Sequence, residues 1–242
     1  MIEGLCLLTL KAKTMVLIKK YGLPLFLLVL LLHLVCIYLE MSTLRLITKL
    51  LLLPILILYL AAEPGKTSPV VYIGLFCSFM GDLLLTRSDE IFFLLGMLAF
   101  IGTHICNILF FYRLQKGYPG KPVNLVLAIV ILAVISGGVY FLLADQLGSF
   151  RVPILVYMAI ISLMAVMATQ TWVHPGLIQI SLHCFIPGAA LFVLSDGLLA
   201  LNKFLLHTGS IDVAVMFTYG MAQYLLVKGF VAVKKDKTVP SP

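Results

Sequence analysis

The chain has 242 residues, of which 62% are hydrophobic and 11% charged, and its mean hydropathy is +1.14. A soluble domain carries about 25% charged residues, so this chain has too little polar surface to cover a water-soluble globule, and lipid must face most of it. The formal net charge of +7 sits mainly at the chain ends and in short connections, which argues against a nucleic-acid surface and predicts no nucleic-acid partner.

The first twenty residues hold a short apolar run, Leu5 to Leu10, followed by Lys11, Lys13, Lys19 and Lys20. A signal peptide has the opposite order, with charge before the apolar run. Residues 1–20 therefore read as a basic tail or a surface-lying segment. Eight apolar stretches follow: Tyr21 to Tyr38, Thr43 to Ala62, Pro69 to Thr86, Ile91 to Tyr112, Val123 to Ala144, Val152 to Thr171, Ile178 to Leu201 and Ile211 to Val231. Each approaches the roughly 20 residues a helix needs to cross the hydrocarbon core. The breaks carry turn and charge signals: Glu63-Pro64-Gly65-Lys66, Arg87-Ser88-Asp89-Glu90, Gly117-Tyr118-Pro119-Gly120 and His174-Pro175-Gly176. The expected fold is all-α, a polytopic membrane helix bundle of about eight transmembrane helices. It forms one domain over residues 21–232, with a basic tail at 233–242.

With the N-terminus in the cytosol, twelve of the seventeen Lys and Arg residues fall on the cytosolic side, as the positive-inside rule requires. An even number of spans then returns the lysine-rich C-terminus to the cytosol. The five cysteines, Cys6, Cys36, Cys77, Cys106 and Cys184, form no CxxC pair and mostly lie within apolar runs. They read as packing residues, with neither a disulfide nor a structural zinc expected.

Polar groups inside spans are expensive and mark function. Lys49 lies in the second span, Asp82 near the end of the third, and His104 and Asn107 one turn apart on the fourth. Tyr157 is in the sixth, and Ser195 and Asp196 close the seventh, with Asn202 and Lys203 after them. Tyr219 and Gln223 are four apart on the eighth and share a face. At about 1.5 Å per residue, Lys49, Asp82, Tyr157, Asp196 and Tyr219 fall in the same half of the membrane, away from the cytosol. Five helices carrying polar groups to one depth predict a shared pocket. The plainer readings are an Asp82–Arg87 surface pair, an Asp196 that only caps a turn, a snorkelling Lys49 and an interface-anchoring Tyr219. His33 and His183 read as structural, and His174 and His207 as loop residues.

Gly81-Asp82, Ser195-Asp196 with Leu201-Asn202-Lys203-Phe204, and Thr218-Tyr219 with Ala222-Gln223 resemble the YhhN-type lysoplasmalogenases. Lys49, His104 and Tyr157 also fall where that family has such residues. The resemblance covers the chain from the second span onward. It implies a multi-pass membrane enzyme of the endoplasmic reticulum that hydrolyses the vinyl ether bond of lysoplasmenylcholine and lysoplasmenylethanolamine. The products are a fatty aldehyde and glycerophosphocholine or glycerophosphoethanolamine.

This chemistry starts with proton transfer to the vinyl carbon remote from oxygen. Water adds to the resulting oxocarbenium ion, and the hemiacetal collapses. Two carboxyls in one low-dielectric site hold a proton between them, and glycosidases meet a similar cation with such a pair. Asp82 and Asp196 are the expected catalytic residues. Lys49 and Lys203 are expected at the substrate phosphate, and His104, Tyr157, Ser195, Asn202, Tyr219 and Gln223 as further substrate-binding groups. No cofactor is required, and no His/Asp/Glu set is spaced for a metal. The expected partners are a lysophospholipid substrate and membrane lipid, with a homo-oligomer left open. Three other readings compete. An intramembrane aspartyl protease lacks its Tyr-Asp and Gly-x-Gly-Asp pattern here. A ceramidase-like zinc hydrolase lacks converging histidines. An ion- or proton-coupled transporter using the same Asp/Lys/His cluster needs a polar path to both faces.

Overall fold

The computed structural model describes residues 2–87, 89–118 and 122–236, with side chains from residue 14 onward except at 122. Ser88, Pro119, Gly120, Lys121 and the tail beyond residue 236 lie outside the described residues, as do the side chains of Cys6, Lys11 and Lys13.

Among the described residues the chain is helical, with no strand. Lipid offers backbone groups no hydrogen bonds, so each crossing segment satisfies its own as a helix. The helices are α1 (Ile2–Tyr38), α2 (Ser42–Ala62), α3 (Pro69–Leu84), α4 (Glu90–Gln115), α5 (Pro122–Leu143) and α6 (Arg151–Gln170). A seventh rod follows, made of a π-turn at Ser181–Phe185, the helix α7 (Ile186–Leu201) and a second π-turn at Asn202–Leu206; the last helix is α8 (Gly209–Lys235). Among the described residues seven rods are long and apolar enough to cross a membrane, so the polytopic helical bundle read from the sequence is the fold observed. The third, α3, has 16 residues, or about 24 Å of rise. It stops at Leu84 where the sequence suggested Thr86, and so Asp82 close to its end stays inside the bundle.

Two boundaries differ from the sequence reading. Helix α1 runs unbroken from Ile2 through Tyr21, so residues 2–20 are helical. Helix α8 continues to Lys235, which takes Lys234 and Lys235 into the last span. In both places charge density suggested an end, but lysine is a good helix former. The four cysteines with described side chains are free.

Helix α3 packs on α4, α1 on α2, α7 on α8, and α6 on both α4 and α5. The α5 helix lies outermost. One end of the bundle is pinned by Glu63, which is buried and ion-paired to Lys19 at 3.7 Å and Lys235 at 2.9 Å. Lys234 Nζ donates to the Leu60 carbonyl at 2.9 Å. Gly65 turns the chain there at φ 104°, and a Cβ on it would lie 2.4 Å from the Lys234 carbonyl oxygen. Lys19, midway along α1, and the C-terminal end of α8 therefore meet at one end of the bundle, as an even number of passes requires. Inward of this end, Phe110, Phe111, Phe185 and Phe230 pack mostly edge to face, with the Phe110 and Phe230 centroids 4.9 Å apart. The opposite half holds Lys49, Asp82, Tyr157, Asp196 and Tyr219.

Candidate active site

Lys49 lies two turns into α2, and Asp82 two residues before the end of α3. The Lys49 Nζ is 3.7 Å from Asp82 Oδ1. From α8, the Tyr219 hydroxyl donates to Asp82 Oδ2 at 2.7 Å. Gln223, one turn further along α8, donates to Ser78 Oγ at 3.0 Å and reaches the Tyr219 oxygen at 3.4 Å. Ser78 is 3.0 Å from Thr103 Oγ1, which donates to the Gly74 carbonyl at 3.1 Å. A continuous hydrogen-bonded chain thus fixes Asp82 from three helices.

Asp196 anchors a second group. The Tyr157 hydroxyl of α6 donates to Asp196 Oδ2 at 2.5 Å, the short length of a bond to a carboxylate. His104 of α4 places Nε2 3.2 Å from the Tyr157 oxygen and 3.4 Å from Asp196 Oδ2. Tyr157 gives its one proton to Asp196, so toward His104 it accepts, and Nε2 carries the hydrogen. His104 Nδ1 is then a buried acceptor with no hydrogen-bond partner.

The two groups share a wall. The Phe192 ring lies 4.8 Å from the His104 ring and 5.5 Å from the Tyr219 ring, both near perpendicular. Phe100 stands 5.8 Å from Tyr219 and 6.4 Å from Phe192. Phe100 packs directly on the backbone of Gly81, where an added Cβ would lie 2.6 Å from Phe100 Cε2. The Gly81-Asp82 pair is thereby explained: the glycine lets the aromatic wall approach α3, and the next residue carries the carboxylate. Side-chain exposures are 14% for Lys49, 4% for Asp82 and 11% for Asp196. Asp82 and Lys49 face each other, so neither the Asp82–Arg87 surface pair nor a snorkelling Lys49 describes the arrangement; Arg87 stacks on the Phe92 ring at 4.8 Å.

Of the residues singled out from the sequence, Lys49, Asp82, Tyr219 and Gln223 meet in one group, and His104, Tyr157 and Asp196 in the other. Three sit nearby with other contacts. Ser195 donates to the Val215 carbonyl at 3.0 Å and ties α7 to α8. Asn202 donates to Asp212 Oδ1 at 2.7 Å and accepts from the Thr208 amide at 2.8 Å, closing the turn in which His207 is left-handed. Lys203 Nζ lies 5.4 Å from the Phe93 centroid, in a cluster with Phe150 and Phe204. His33 is buried against Thr48 at 2.8 Å, and the His174 ring lies tilted against Tyr118, centroids 4.2 Å apart.

Sequence reasoning missed Ser78, Thr103, Phe100, Phe192 and the pair of Arg45 with Asp212, whose atoms are 2.8 Å apart. The signal for three of them was helical register. Ser78, Phe100 and Phe192 lie four residues before Asp82, His104 and Asp196 and share their faces. Among the described residues, no group of three or more His, Cys, Asp and Glu side chains is placed to hold a metal ion.

The YhhN family profile matches residues 44–230. The chain belongs to the YhhN family. Two curated relatives carry the name lysoplasmalogenase TMEM86A. The human protein is 32% identical over 176 residues, covering 69% of this chain and 67% of its own length. The bovine protein is 31% identical over 171 residues, again covering 69% and 67%. No solved structure gave a significant match. The match begins just after α2 starts and ends within α8, so it takes in every residue of both polar groups and omits α1.

Proposed function

We propose that this member of the family hydrolyses the vinyl ether bond of lysoplasmenylcholine and lysoplasmenylethanolamine, with Asp82 and Asp196 as its acid–base pair. One observation carries the reading. Two carboxylates from separate helices are each held by a tyrosine hydroxyl, and Tyr219 of one group and His104 of the other pack on the same Phe192 ring. The names of the relatives supply the substrate class.

A proton passes from the carboxyl pair to the vinyl carbon remote from oxygen, leaving an oxocarbenium ion beside the remaining carboxylate. Water adds to the cation and gives its proton back to the pair. The hemiacetal then breaks its bond to the glycerol oxygen, which leaves as the alcohol while the chain leaves as the aldehyde. Atoms and protons balance without a cofactor. Inequivalent surroundings are what an acid–base pair requires: Asp82 has a lysine counter-charge, and Asp196 a tyrosine–histidine cradle. His104, Tyr157, Tyr219 and Gln223 orient the carboxyls and the water. Lys49 and Lys203 are assigned to the phosphate, Lys203 nearer the bundle end. Ser195 and Asn202 hold the backbone around the site.

A proton-coupled transporter needs a polar route to both faces. The phenylalanine packing inward of the Glu63 end favours a closed pocket instead. We place the protein in the endoplasmic reticulum membrane with both termini cytosolic. The orientation rests on the lysine bias together with the shared position of Lys19 and the α8 end, and the compartment on the family resemblance.

Purified protein is expected to release fatty aldehyde from both lysoplasmenyl lipids and none from the saturated alkyl-ether analogue, which has no carbon to protonate. Equal cleavage of the saturated ether, or no aldehyde at all, contradicts the assignment.

A further inference from the structure

A second feature lies on the opposite side of α7 from α8. Helices α5, α6 and α7 enclose a half-open cavity of about 410 Å³. Its walls are apolar along most of their length, with Ile131 and Ile135 from α5, Ala165 from α6, and Ala189 and Val193 from α7. Its far end is polar, lined by Asn124, Thr169, Gln170 and the ring of Trp172.

Helical register connects this cavity to the carboxylates. Val193 is three residues before Asp196 on α7, one turn or about 4.5 Å of rise. Ala165, Ile161 and Tyr157 stand at successive four-residue steps on α6, so the face that lines the cavity leads in two turns to the hydroxyl bonded to Asp196. The Val193 end of the cavity is thus the end nearer the Asp196 group in helical register, with the buried Ile161 between Ala165 and Tyr157. Small side chains, Ala165 and Ala189, open it where the two helices would otherwise close.

We infer that this cavity holds the hydrocarbon chain of the lysolipid substrate and sets the chain length the enzyme accepts. The inference rests on the proposed hydrolysis and adds its substrate-selecting element. Val193 at one end of the cavity is one helical turn from Asp196, which is proposed to act on the bond between chain and headgroup, and a single chain is the occupant such a slot suits. Size agrees: a dry cavity of about 150 Å³ takes a six-carbon ring, so 410 Å³ is room for about sixteen carbons. The polar far end acts as a floor, because an alkyl end gains nothing by displacing the hydrogen bond of Gln170 to Thr169. The opening toward lipid beside the outermost helix, α5, lets a chain enter sideways from the bilayer.

Two measurements test this, and only one needs turnover. Trp172 is the sole tryptophan in the chain and stands at the cavity floor. Lysophosphatidylcholine brominated at the far end of a 16-carbon chain should quench its fluorescence saturably, and the same lipid brominated beside the ester should quench far less. Ala190→Phe, from the α7 rim, and Ala128→Phe, from the α5 wall, fill the cavity and should abolish the difference. In the aldehyde assay a filled cavity excludes a long chain by overlap while leaving room for a short one. The kcat/KM ratio of 16-carbon over 8-carbon lysoplasmenylcholine should therefore fall at least tenfold in either variant. Size-exclusion profiles confirm that the variants fold. Wild-type quenching without aldehyde from any substrate would sink the hydrolase reading and leave the chain site standing. Equal quenching by the two brominated lipids, or quenching and chain-length ratio both unchanged in the filled variants, would overturn the inference.

Discussion

The Tyr219 hydroxyl donates to Asp82 Oδ2 at 2.7 Å while its ring packs edge-on against Phe100 and Phe192. One side chain thus joins the last helix to the third, and a carboxylate to the aromatic wall shared with the Asp196 group. Tyr219→Phe keeps the ring and removes only the bond. A hydrogen bond to a charged group contributes about 1.5–3 kcal/mol, so kcat/KM for aldehyde release should fall about 10- to 150-fold with the size-exclusion profile unchanged. A rate within twofold of wild type would show that Asp82 needs no fixing by Tyr219.

Gly81 tests the wall. A Cβ there would lie 2.6 Å from the Phe100 ring, and Phe100 is buried among aromatic neighbours that leave it little room to move. Overpacking of this kind destabilises by about 1–3 kcal/mol. Gly81→Ala is expected to lower the unfolding temperature and to depress activity further by pushing Phe100 against Tyr219. Wild-type stability in the alanine variant would mean the wall yields freely.

Asn202 belongs to the fold more than to the chemistry. Both arms of its side chain are engaged, with Asp212 and the Thr208 amide. Asn202→Ala leaves those partners unpaired and should destabilise by about 1–3 kcal/mol. Aldehyde release per folded molecule should stay within about threefold of wild type. A hundredfold loss of rate in a stable variant would return Asn202 to the substrate.

At the other end of the bundle, Glu63→Gln weakens the tie to Lys19 and Lys235. Both lysines are nearly half exposed, so the loss is modest. A shift of about 2–4 °C in unfolding temperature, roughly 1 kcal/mol for a chain of this size, is expected with activity unchanged. A tenfold loss of activity would mean that this end communicates with the site.

The membrane orientation has its own test. A glycosylation acceptor inserted in the connection between α3 and α4 should be modified in microsomes, and one between α2 and α3 should not. The reverse pattern would invert the proposed topology.

The sequence exposed the depth of the polar groups but not their partners. Lysine, aspartate and histidine inside lipid are rare enough to notice, and the rise of a helix turns residue number into depth. Which tyrosine meets which carboxylate depends on the rotation and order of the helices, and no periodicity encodes these. Ser195 is one residue from Asp196, yet 100° of helical rotation turns it to the α8 backbone. The joined ends at Glu63 were hidden because Pro64 and Gly65 mark only a turn; that the glutamate would be buried depended on two lysines more than forty residues away in either direction. The eight helices were legible from apolar runs, but the outer position of α5 was not, since an apolar helix in lipid looks the same buried or bare.

The central claim is that Asp82 and Asp196 act together on the vinyl ether bond. The most direct measurement is fatty aldehyde release from lysoplasmenylcholine by purified wild type, Asp82→Asn and Asp196→Asn, each shown to be folded by its size-exclusion profile. The paired-carboxylate account predicts aldehyde from wild type and at least a thousandfold less from either variant, because a carboxamide neither donates nor accepts the proton. Near-wild-type release from either well-folded variant would contradict it.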